Sequence, residues 1–351
     1  MVFFVIHRYN ALMVLLSRPW FYPVVICLIF FGVVIGTAVL FSQNNRQFIS
    51  PVGKTLPTPT PLPLLKYSFS NLRQTPARAS LIELDSILDQ KPNYTSWLFS
   101  FTTEGKKMTG QLNVPALATP SAGFPVILML RGYVNPADYF TGVGTKNAAA
   151  VFAQNGYATL APDFLGYGQS DPPAADTIAA RLEKPKHILD LLASLKSLPV
   201  IDPARVGLWA HSNGGQIALS VLEITGQAIP TTLWAPVSKS FPYAILYYTD
   251  ESDDQGKELR RVLAEFEKDY DTFDFSIDRY WDWIQAPVQV HQGTADDAVP
   301  LEWSAGLVNI LKKTDPEVTL YTYPGADHNL RPDWDTAVAR DLQFFDQSLL
   351  H

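Results

Sequence analysis

The chain has 351 residues, of which 47% are hydrophobic and 17% are charged, so it can bury a large core. The net charge is −7 and no cluster of Lys and Arg occurs, which excludes the basic surface that a nucleic-acid partner requires. The single cysteine, Cys27, excludes a disulfide framework. The six histidines are dispersed without the spacing of zinc ligands, so we expect neither a metal ion nor another cofactor.

A membrane region is predicted before the globular part. Residues 20–41 form an uncharged run of 22 residues, long enough for a transmembrane helix, and residues 1–19 form a cytoplasmic or interfacial segment. A cleaved signal peptide is the alternative, although its apolar core is usually shorter. Residues 42–66 contain the run T-L-P-T-P-T-P-L-P, which predicts an extended linker. We therefore expect a single-pass membrane protein whose C-terminal domain is extracytoplasmic.

Strands and helices alternate through residues 67–351, which predicts one α/β domain with a mostly parallel sheet. Residues 94–102 and 107–114 are expected to form an opening hairpin. Further strands are predicted at 124–130, 157–161, 206–210, 230–235, 287–291 and 318–323. Helices are predicted at 148–155, 175–198, 216–224, 256–268 and 335–350.

The run Trp209-Ala210-His211-Ser212-Asn213-Gly214-Gly215 places a serine between a predicted strand and a predicted helix. A serine in such a turn takes a strained backbone conformation that exposes its hydroxyl, and the positions two before and two after it must be small. Gly214 meets this requirement, and Ala210 replaces the usual first glycine with one added methyl group. The run therefore predicts that Ser212 is a nucleophile.

Two further polar residues follow later strands, at the sheet edge where Ser212 lies. Strand 287–291 leads into a loop with Asp296, and strand 318–323 leads into a loop with His328. Because ligands of such sheets bind at the carboxyl ends of the strands, these side chains are expected to meet there. His328 would accept the proton of Ser212 as general base, and Asp296 would orient the imidazole.

The chain from about residue 94 to residue 350 resembles the α/β-hydrolase superfamily, and within it the catalytic domain of the prolyl oligopeptidase family of serine peptidases. The order Ser212, Asp296, His328 is the order of α/β hydrolases. The resemblance also rests on local strings: N-G-Y-A-T-L-A-P-D at 155–163, G-Y-G-Q-S-D at 166–171, H-S-N-G-G at 211–215 and G-T-A-D with V-P at 293–300. By this resemblance Asp296, the fourth residue of G-x-x-D-x-x-V-P, is preferred over Asp297 as the triad acid.

The oxyanion of an acyl-transfer reaction needs two main-chain donors. The N–H of Asn213, directly after the nucleophile, is the natural first donor, and we expect the N–H of Tyr133 to be the second. Members of the family usually carry His-Gly-Gly or a Tyr-Gly pair after the third strand, where this chain has Arg131-Gly132-Tyr133. Arg131 is an alternative partner for an acid.

The family's usual N-terminal β-propeller has no counterpart among the roughly thirty residues between linker and hydrolase domain, so size filtering of peptides is not expected. An aromatic-rich insertion at about 242–284 is the expected lid, with ordinary packing on the sheet as the alternative. Together these features predict a serine hydrolase that forms an acyl-enzyme, most simply a peptidase of the prolyl oligopeptidase type. The alternatives are a carboxylesterase of small acyl esters and an inactive hydrolase fold that binds a partner. The substrate is thus a peptide or a small acyl compound, and the oligomeric state stays open.

Overall fold

The computed structural model describes residues 62–350 except 315–316, together with residues 19, 23, 27, 29–35 and 37. Residues Met1–Pro61 and Leu62–His351 form two separate compact units. Within the predicted span 20–41, residues 23, 27, 29–35 and 37 are helical, and the rest of that span lies outside the described residues, as do residues 42–61. Among the described residues, no helix has the length and apolar character needed to cross a membrane.

A nine-stranded sheet forms the centre of the unit Leu62–His351, in the order β1-β2-β3-β5-β4-β6-β7-β8-β9. The first three strands are antiparallel, β3 pairs antiparallel with β5, and all remaining neighbours are parallel. The strands are β1 Glu83–Gln90, β2 Tyr94–Thr103, β3 Lys106–Pro115, β4 Phe124–Leu130, β5 Ala158–Pro162, β6 Ile201–His211, β7 Thr231–Trp234, β8 Val288–Gly293 and β9 Val318–Tyr323.

Helices connect these strands and cover both faces of the sheet. The α-helices are α1 Phe69–Gln74, α2 Lys146–Gln154, α3 Ala179–Ser194, α4 Asn213–Thr225, α5 Tyr243–Leu246, α6 Lys257–Phe266, α7 Leu301–Leu311 and α8 Trp334–Leu349. Short 3-10 helices occur at Pro63–Tyr67, Pro136–Asp138, Leu195–Ser197, Thr249–Glu251, Thr272–Phe275, Ile277–Arg279 and Trp281–Trp283.

The central strand β4 shows why the fold has two cores. All seven of its residues are buried, and because successive side chains point to opposite faces, alternate residues pack in different clusters. Leu128 belongs to the cluster that includes residues of α3, α4 and α7. Met129 belongs to the cluster on the other face, with Phe152 of α2 and Phe345 of α8. The sequence of a strand that is buried on both faces is therefore a continuous run of apolar residues.

Most predicted elements are confirmed, with shifted ends. The long predicted helix 175–198 is shorter, since α3 covers Ala179–Ser194 and a 3-10 turn follows it. Strand β1 and helices α1, α5 and α7 were not predicted. Strand β1 is exposed along its whole length and pairs only with β2, and α7 follows the predicted acid loop. The insertion at 242–284 contains α5, α6 and four of the 3-10 helices.

Candidate active site

Ser212 lies in the sharp turn between β6 and α4. Its φ of 55° and ψ of −122° fall in a region that side-chain-bearing residues rarely adopt. Three main-chain hydrogen bonds hold this turn: Ser212 N–H donates to Trp234 O at 2.9 Å, and Ser212 O accepts from Gly215 N–H at 2.9 Å and Val237 N–H at 3.0 Å. The surrounding structure therefore maintains the strain that sequence reasoning expected at this serine.

Small residues are required where other chain segments pass the turn. A Cβ atom on Gly214 would lie 2.0 Å from Leu130 O, so this position admits only glycine. A Cβ atom on Gly132 would lie 3.0 Å from the Cβ atom of Ser212, which places the loop after β4 directly against the serine. Ala210 is fully buried, so its added methyl group fits between strand and helix.

His328 and Asp296 form a close pair at the neighbouring strand ends. His328 Nδ1 lies 2.9 Å from Asp296 Oδ2 and 3.0 Å from Asp296 Oδ1. The Asp296 side chain is almost fully buried, whereas the imidazole is partly exposed. Asp297, the alternative acid, is exposed and does not bond to His328 within the described part of the chain. Asp327 accepts the N–H groups of Asn329 and Arg331, as a loop-capping carboxylate does.

Hydrogen bonds keep Asp296 ionised. Burial alone would raise the pKa of Asp296, but the bond to His328 and the N–H groups of Val299 and Ala298 outweigh burial and lower that pKa. Gln292 Nε2 also donates to Asp296 Oδ2 at 2.8 Å. Sequence reasoning missed Gln292, although a buried glutamine at the end of an apolar strand is an available signal.

His211 positions the loop that carries His328. Its Nε2 atom lies 3.0 Å from His328 O, and the two ring centroids are 4.6 Å apart. Burial, with the nearby His328, lowers the pKa of His211 to about 4, so its ring is neutral and Nε2–H donates to the carbonyl oxygen. His328 is thereby brought beside the Ser212 turn. Among the described residues no hydrogen bond joins the Ser212 hydroxyl to His328, and such bonds often tighten only when substrate binds.

The two expected oxyanion donors belong to segments that lie next to Ser212. Asn213 is the first residue of α4, so its N–H has no partner within the helix. Tyr133 lies in the loop after β4, one residue beyond Gly132, and its side chain is exposed. Both main chains therefore pass next to the nucleophile candidate, where an oxyanion would form.

Arg131 fixes the start of that loop, and it does not pair with an acid as the alternative reading held. Its guanidinium donates to Gly132 O at 2.9 Å and to Asp163 O at 2.8 Å, both of them main-chain oxygens. Its carbon Cζ lies 4.2 Å from the ring centroid of Tyr167 and 4.5 Å from that of Tyr139. The Asp163 carboxylate instead accepts hydroxyl groups, including Tyr139 Oη at 2.6 Å.

One group of side chains has the composition of a cation site. Ligand atoms of Glu104, Glu183 and His187 lie within 4.8 Å of one another, a grouping that the dispersed histidines did not reveal. Glu104 already accepts hydrogen bonds from Lys66 and Tyr67, and Glu183 accepts one from Ala174 N–H. A cation would have to displace these donors from the carboxylates.

Comparison with known proteins identifies the family. A family model described as the prolyl oligopeptidase family matches residues 144–351, more than half of the chain. The chain belongs to the prolyl oligopeptidase family. It is accordingly a serine hydrolase, and Ser212, Asp296 and His328 all lie within the matched residues.

Two relatives from Bacillus subtilis are similar to this chain at low sequence identity. The uncharacterized peptidase YtmA is 24% identical over 69% of this chain and 89% of its own length. The uncharacterized peptidase YuxL is 23% identical over 65% of this chain. The aligned part covers only 34% of YuxL, so this chain spans about a third of that relative.

Solved structures of peptidases and esterases share the fold. An acetyl xylan esterase from Paenibacillus sp. R4 aligns with a TM-score of 0.58 and 17% identity over 81% of this chain and 99% of that chain. The acylaminoacyl peptidase of Pyrococcus horikoshii aligns with a TM-score of 0.57 and 18% identity over 73% of this chain and 42% of that chain. A putative dipeptidyl aminopeptidase IV from Bacteroides ovatus aligns with a TM-score of 0.56 and 16% identity over 74% of this chain and 36% of that chain. The fold is thus that of an α/β hydrolase, as the resemblance predicted.

Proposed function

We propose that the protein is a serine peptidase in which Ser212 is the nucleophile, His328 the general base and Asp296 the residue that orients the base. The observation that carries this proposal is the pair of His328 and the ionised Asp296 beside a serine held at positive φ. Ser212 Oγ would attack the carbonyl carbon, His328 would accept the hydroxyl proton and return it to the leaving group, and water would hydrolyse the acyl-enzyme.

The main-chain N–H groups of Asn213 and Tyr133 are proposed to bind the oxyanion. Their segments flank Ser212, and each such donor is worth about 3 kcal/mol in the transition state. Arg131 would have an indirect, positioning role, because it binds the carbonyl oxygen of Gly132 and so fixes the orientation of the peptide unit that carries the N–H of Tyr133.

A carboxylesterase is the second candidate, and structural likeness supports it, since the acetyl xylan esterase from Paenibacillus sp. R4 shares the fold over 81% of this chain. One triad serves both reactions, so the fold does not decide between them.

Labelling with a fluorophosphonate probe tests the nucleophile. The parent protein is expected to be labelled and Ser212→Ala is not. Asp296→Asn should slow labelling strongly, whereas the matched variant Asp297→Asn should leave it unchanged. Equal labelling of parent and Ser212→Ala would refute the assignment.

Turnover of aminoacyl and prolyl anilides beside aryl esters then separates the two functions, and turnover of esters alone would overturn the peptidase proposal.

We further propose that residues 20–41 anchor the protein as a single-pass helix and that the catalytic domain is extracytoplasmic. The uncharged run and the proline-rich segment that follows it support this proposal. The full chain should stay in the membrane fraction after a carbonate wash, and its catalytic domain should be digested by protease added outside intact cells. Release by the wash, or protection from the protease, would contradict the anchor or the orientation respectively.

A further inference from the structure

A small cavity lies beside the proposed nucleophile, between α3, α4 and the insertion. It has a volume of about 60 Å³, and Asn213, the residue directly after Ser212, forms part of its wall. Phe241, directly before the insertion, and Phe275 within it also line the cavity. A water-sized group needs about 10–15 Å³ of such volume, so the cavity accepts a group of a few atoms, such as a carboxylate.

Two cationic side chains line this cavity, the exposed Arg181 and the half-buried Lys184. Arg181 and Lys184 lie one turn apart on α3. Neither head group makes a hydrogen bond, an ion pair or a ring contact with any residue that the structure describes. Of the residues that line the cavity, none is Asp or Glu. Glu183, which lies between them in sequence, is buried, and its Oε1 atom accepts Ala174 N–H.

The surroundings of Lys184 make its lone charge costly. Its side chain is half-buried, and the walls around it are mostly apolar. Burial, followed by the charges of Arg181 and Arg131, lowers the pKa of Lys184 to about 8, against a smaller opposing effect of Glu183. An unpaired cation in such a place is destabilised, and an anion that reaches it restores the missing interaction.

We infer that this cavity is a substrate subsite that binds a carboxylate group, and that the enzyme therefore prefers acyl substrates with a negatively charged end. The inference rests on the proposed function, because it places the substrate chain between Ser212 and the two cations. Arg181 and Lys184 bind the carboxylate, and they take no part in bond cleavage. Neutral substrates of equal size lack this interaction.

The experiment compares two p-nitrophenyl esters of equal size, both made from adipic acid. In one the second carboxyl group is free and ionised, and in the other it is a neutral amide. In the full-length parent we expect kcat/KM for the anionic ester to be greater by roughly tenfold or more, since a hydrogen bond to a charged group is worth about 1.5–3 kcal/mol. Arg181→Gln and Lys184→Gln should each reduce this ratio, and the double variant should bring it to about one. The ratio of the two esters is the readout, because an effect that a variant has on both esters alike cancels in it.

Lys196→Gln is the matched control, because it removes an exposed lysine just beyond the same helix and should leave the ratio unchanged. Labelling of Ser212 by the neutral fluorophosphonate confirms that each variant is folded, and the single variants decide the test if the double variant is not labelled. A parent ratio near one, or a ratio that survives in both single variants, overturns the inference. If the parent is not labelled and turns over neither ester, the proposed function fails and the subsite fails with it.

The pH dependence of the ratio gives an independent readout. Lys184 should lose its charge as the pH rises through about 8, while Arg181 and Arg131 stay charged. The preference of the parent for the anionic ester should therefore decrease between about pH 7 and about pH 9. In Lys184→Gln the remaining preference should be flat over the same range, and a flat ratio in the parent would contradict the role of Lys184.

Discussion

Asp296 depends on a single buried side chain for part of its orientation. Gln292 donates to Asp296 Oδ2 at 2.8 Å, and its own Oε1 accepts Ser304 Oγ at 2.6 Å. Gln292→Leu removes a hydrogen bond to a charged acceptor, worth about 1.5–3 kcal/mol. We expect kcat to fall by roughly tenfold to a hundredfold with little change in KM. Steady-state kinetics measures this, on whichever of the anilides and aryl esters named above the parent turns over. The exposed Gln285→Leu is the control, and an unchanged kcat in Gln292→Leu would show that Asp296 needs no such support.

Glu223 is expected to make the stability of the protein depend on pH. It is fully buried on α4, and neither carboxyl oxygen has a hydrogen-bond partner among the residues that the structure describes. Burial, with the charges of Asp278 and Asp282, raises its pKa well above 4.5, so the folded protein keeps a proton that the unfolded chain releases. The free energy of unfolding should therefore fall as the pH rises above about 4.5, by up to about 1.4 kcal/mol per pH unit.

Glu223→Gln should remove this slope. We expect the variant to gain stability over the parent at pH 8 and to gain little at pH 4.5, as measured by urea unfolding at both values. The exposed Glu83→Gln on β1 should leave the slope unchanged. A variant that is no more stable than the parent at pH 8 would show that water or a rearrangement already satisfies the carboxylate.

The site residues differ in how far sequence alone could find them. Ser212 stands in a run whose spacing is set by one local turn, so its position was predictable. Asp296 and His328 follow strands of recognisable pattern, and their meeting follows from the sheet edge. Arg181 and Lys184 carry no local pattern, because residues distant in sequence complete the cavity that they line. Gln292 lies only four residues before Asp296, and the folded loop brings their side chains together.

At the scale of elements, the loop after β4 depends on one arginine. Arg131 is buried, bonds to Gly132 O and Asp163 O, and lies against the rings of Tyr139 and Tyr167. A lysine cannot form two divergent hydrogen bonds and stack on a ring at once. Arg131→Lys should therefore loosen the segment that carries the proposed donor of Tyr133, with a fall in kcat of roughly a hundredfold, near the loss of one oxyanion donor.

The measurement is the kcat for the best ester, with far-ultraviolet circular dichroism to confirm that the fold persists. Arg205→Lys is the matched control, because Arg205 also donates to a main-chain oxygen, that of Gly123, but lies on β6 seven residues before Ser212 and outside the loop after β4. If Arg131→Lys keeps the parent kcat, the loop is held by its other contacts and Arg131 serves stability alone.

Strand β1 and helix α7 were missed in the sequence for different physical reasons. Strand β1 contains Leu84, Ile87 and Leu88, which do not alternate, and register shifts between Leu84 and Ser86 and between Ile87 and Asp89 break the period of two. An edge strand that is exposed throughout also lacks a buried face to reveal it. Helix α7 has Gly306 in its interior, which weakens its helical signal, although Trp303, Leu307 and Leu311 are buried at helical spacing.

At the scale of the whole molecule, the fold was predictable where burial is complete. Strand β4 lies between two cores and therefore appears as an apolar run. The insertion was harder, because its aromatic residues divide between two roles. Phe266 and Tyr280 are buried in the packing, as the alternative reading held, whereas Phe241 and Phe275 also line the cavity beside Asn213. Composition gives the same signal for both roles, and only the tertiary structure separates them.

One buried carboxylate links the last helix to the sheet. Asp341 of α8 is fully buried; its Oδ2 accepts Trp209 Nε1 at 3.2 Å and Trp234 Nε1 at 2.8 Å, and its Oδ1 lies 3.0 Å from His291 Nε2. Gln289 Nε2 lies 3.3 Å from the same Oδ1. The carboxylate thus joins α8 to strands β6, β7 and β8, three of the parallel strands of the sheet.

Asp341→Leu would leave these buried donors without an acceptor, and the loss of one partner from a buried charged network typically costs about 3–5 kcal/mol. We expect a large fall in the free energy of unfolding by urea, while the exposed Asp335→Leu, earlier on the same helix, should change it by less than about 1 kcal/mol. The fluorophosphonate should still label Ser212 in the fraction that remains folded, because the hydrogen bonds of Asp341 to described residues go to Trp209, Trp234, Gln289 and His291, and to no residue of the proposed triad. A variant that keeps parent stability but loses labelling would instead mean that the network acts on the site through His211, which follows Trp209 at the end of β6.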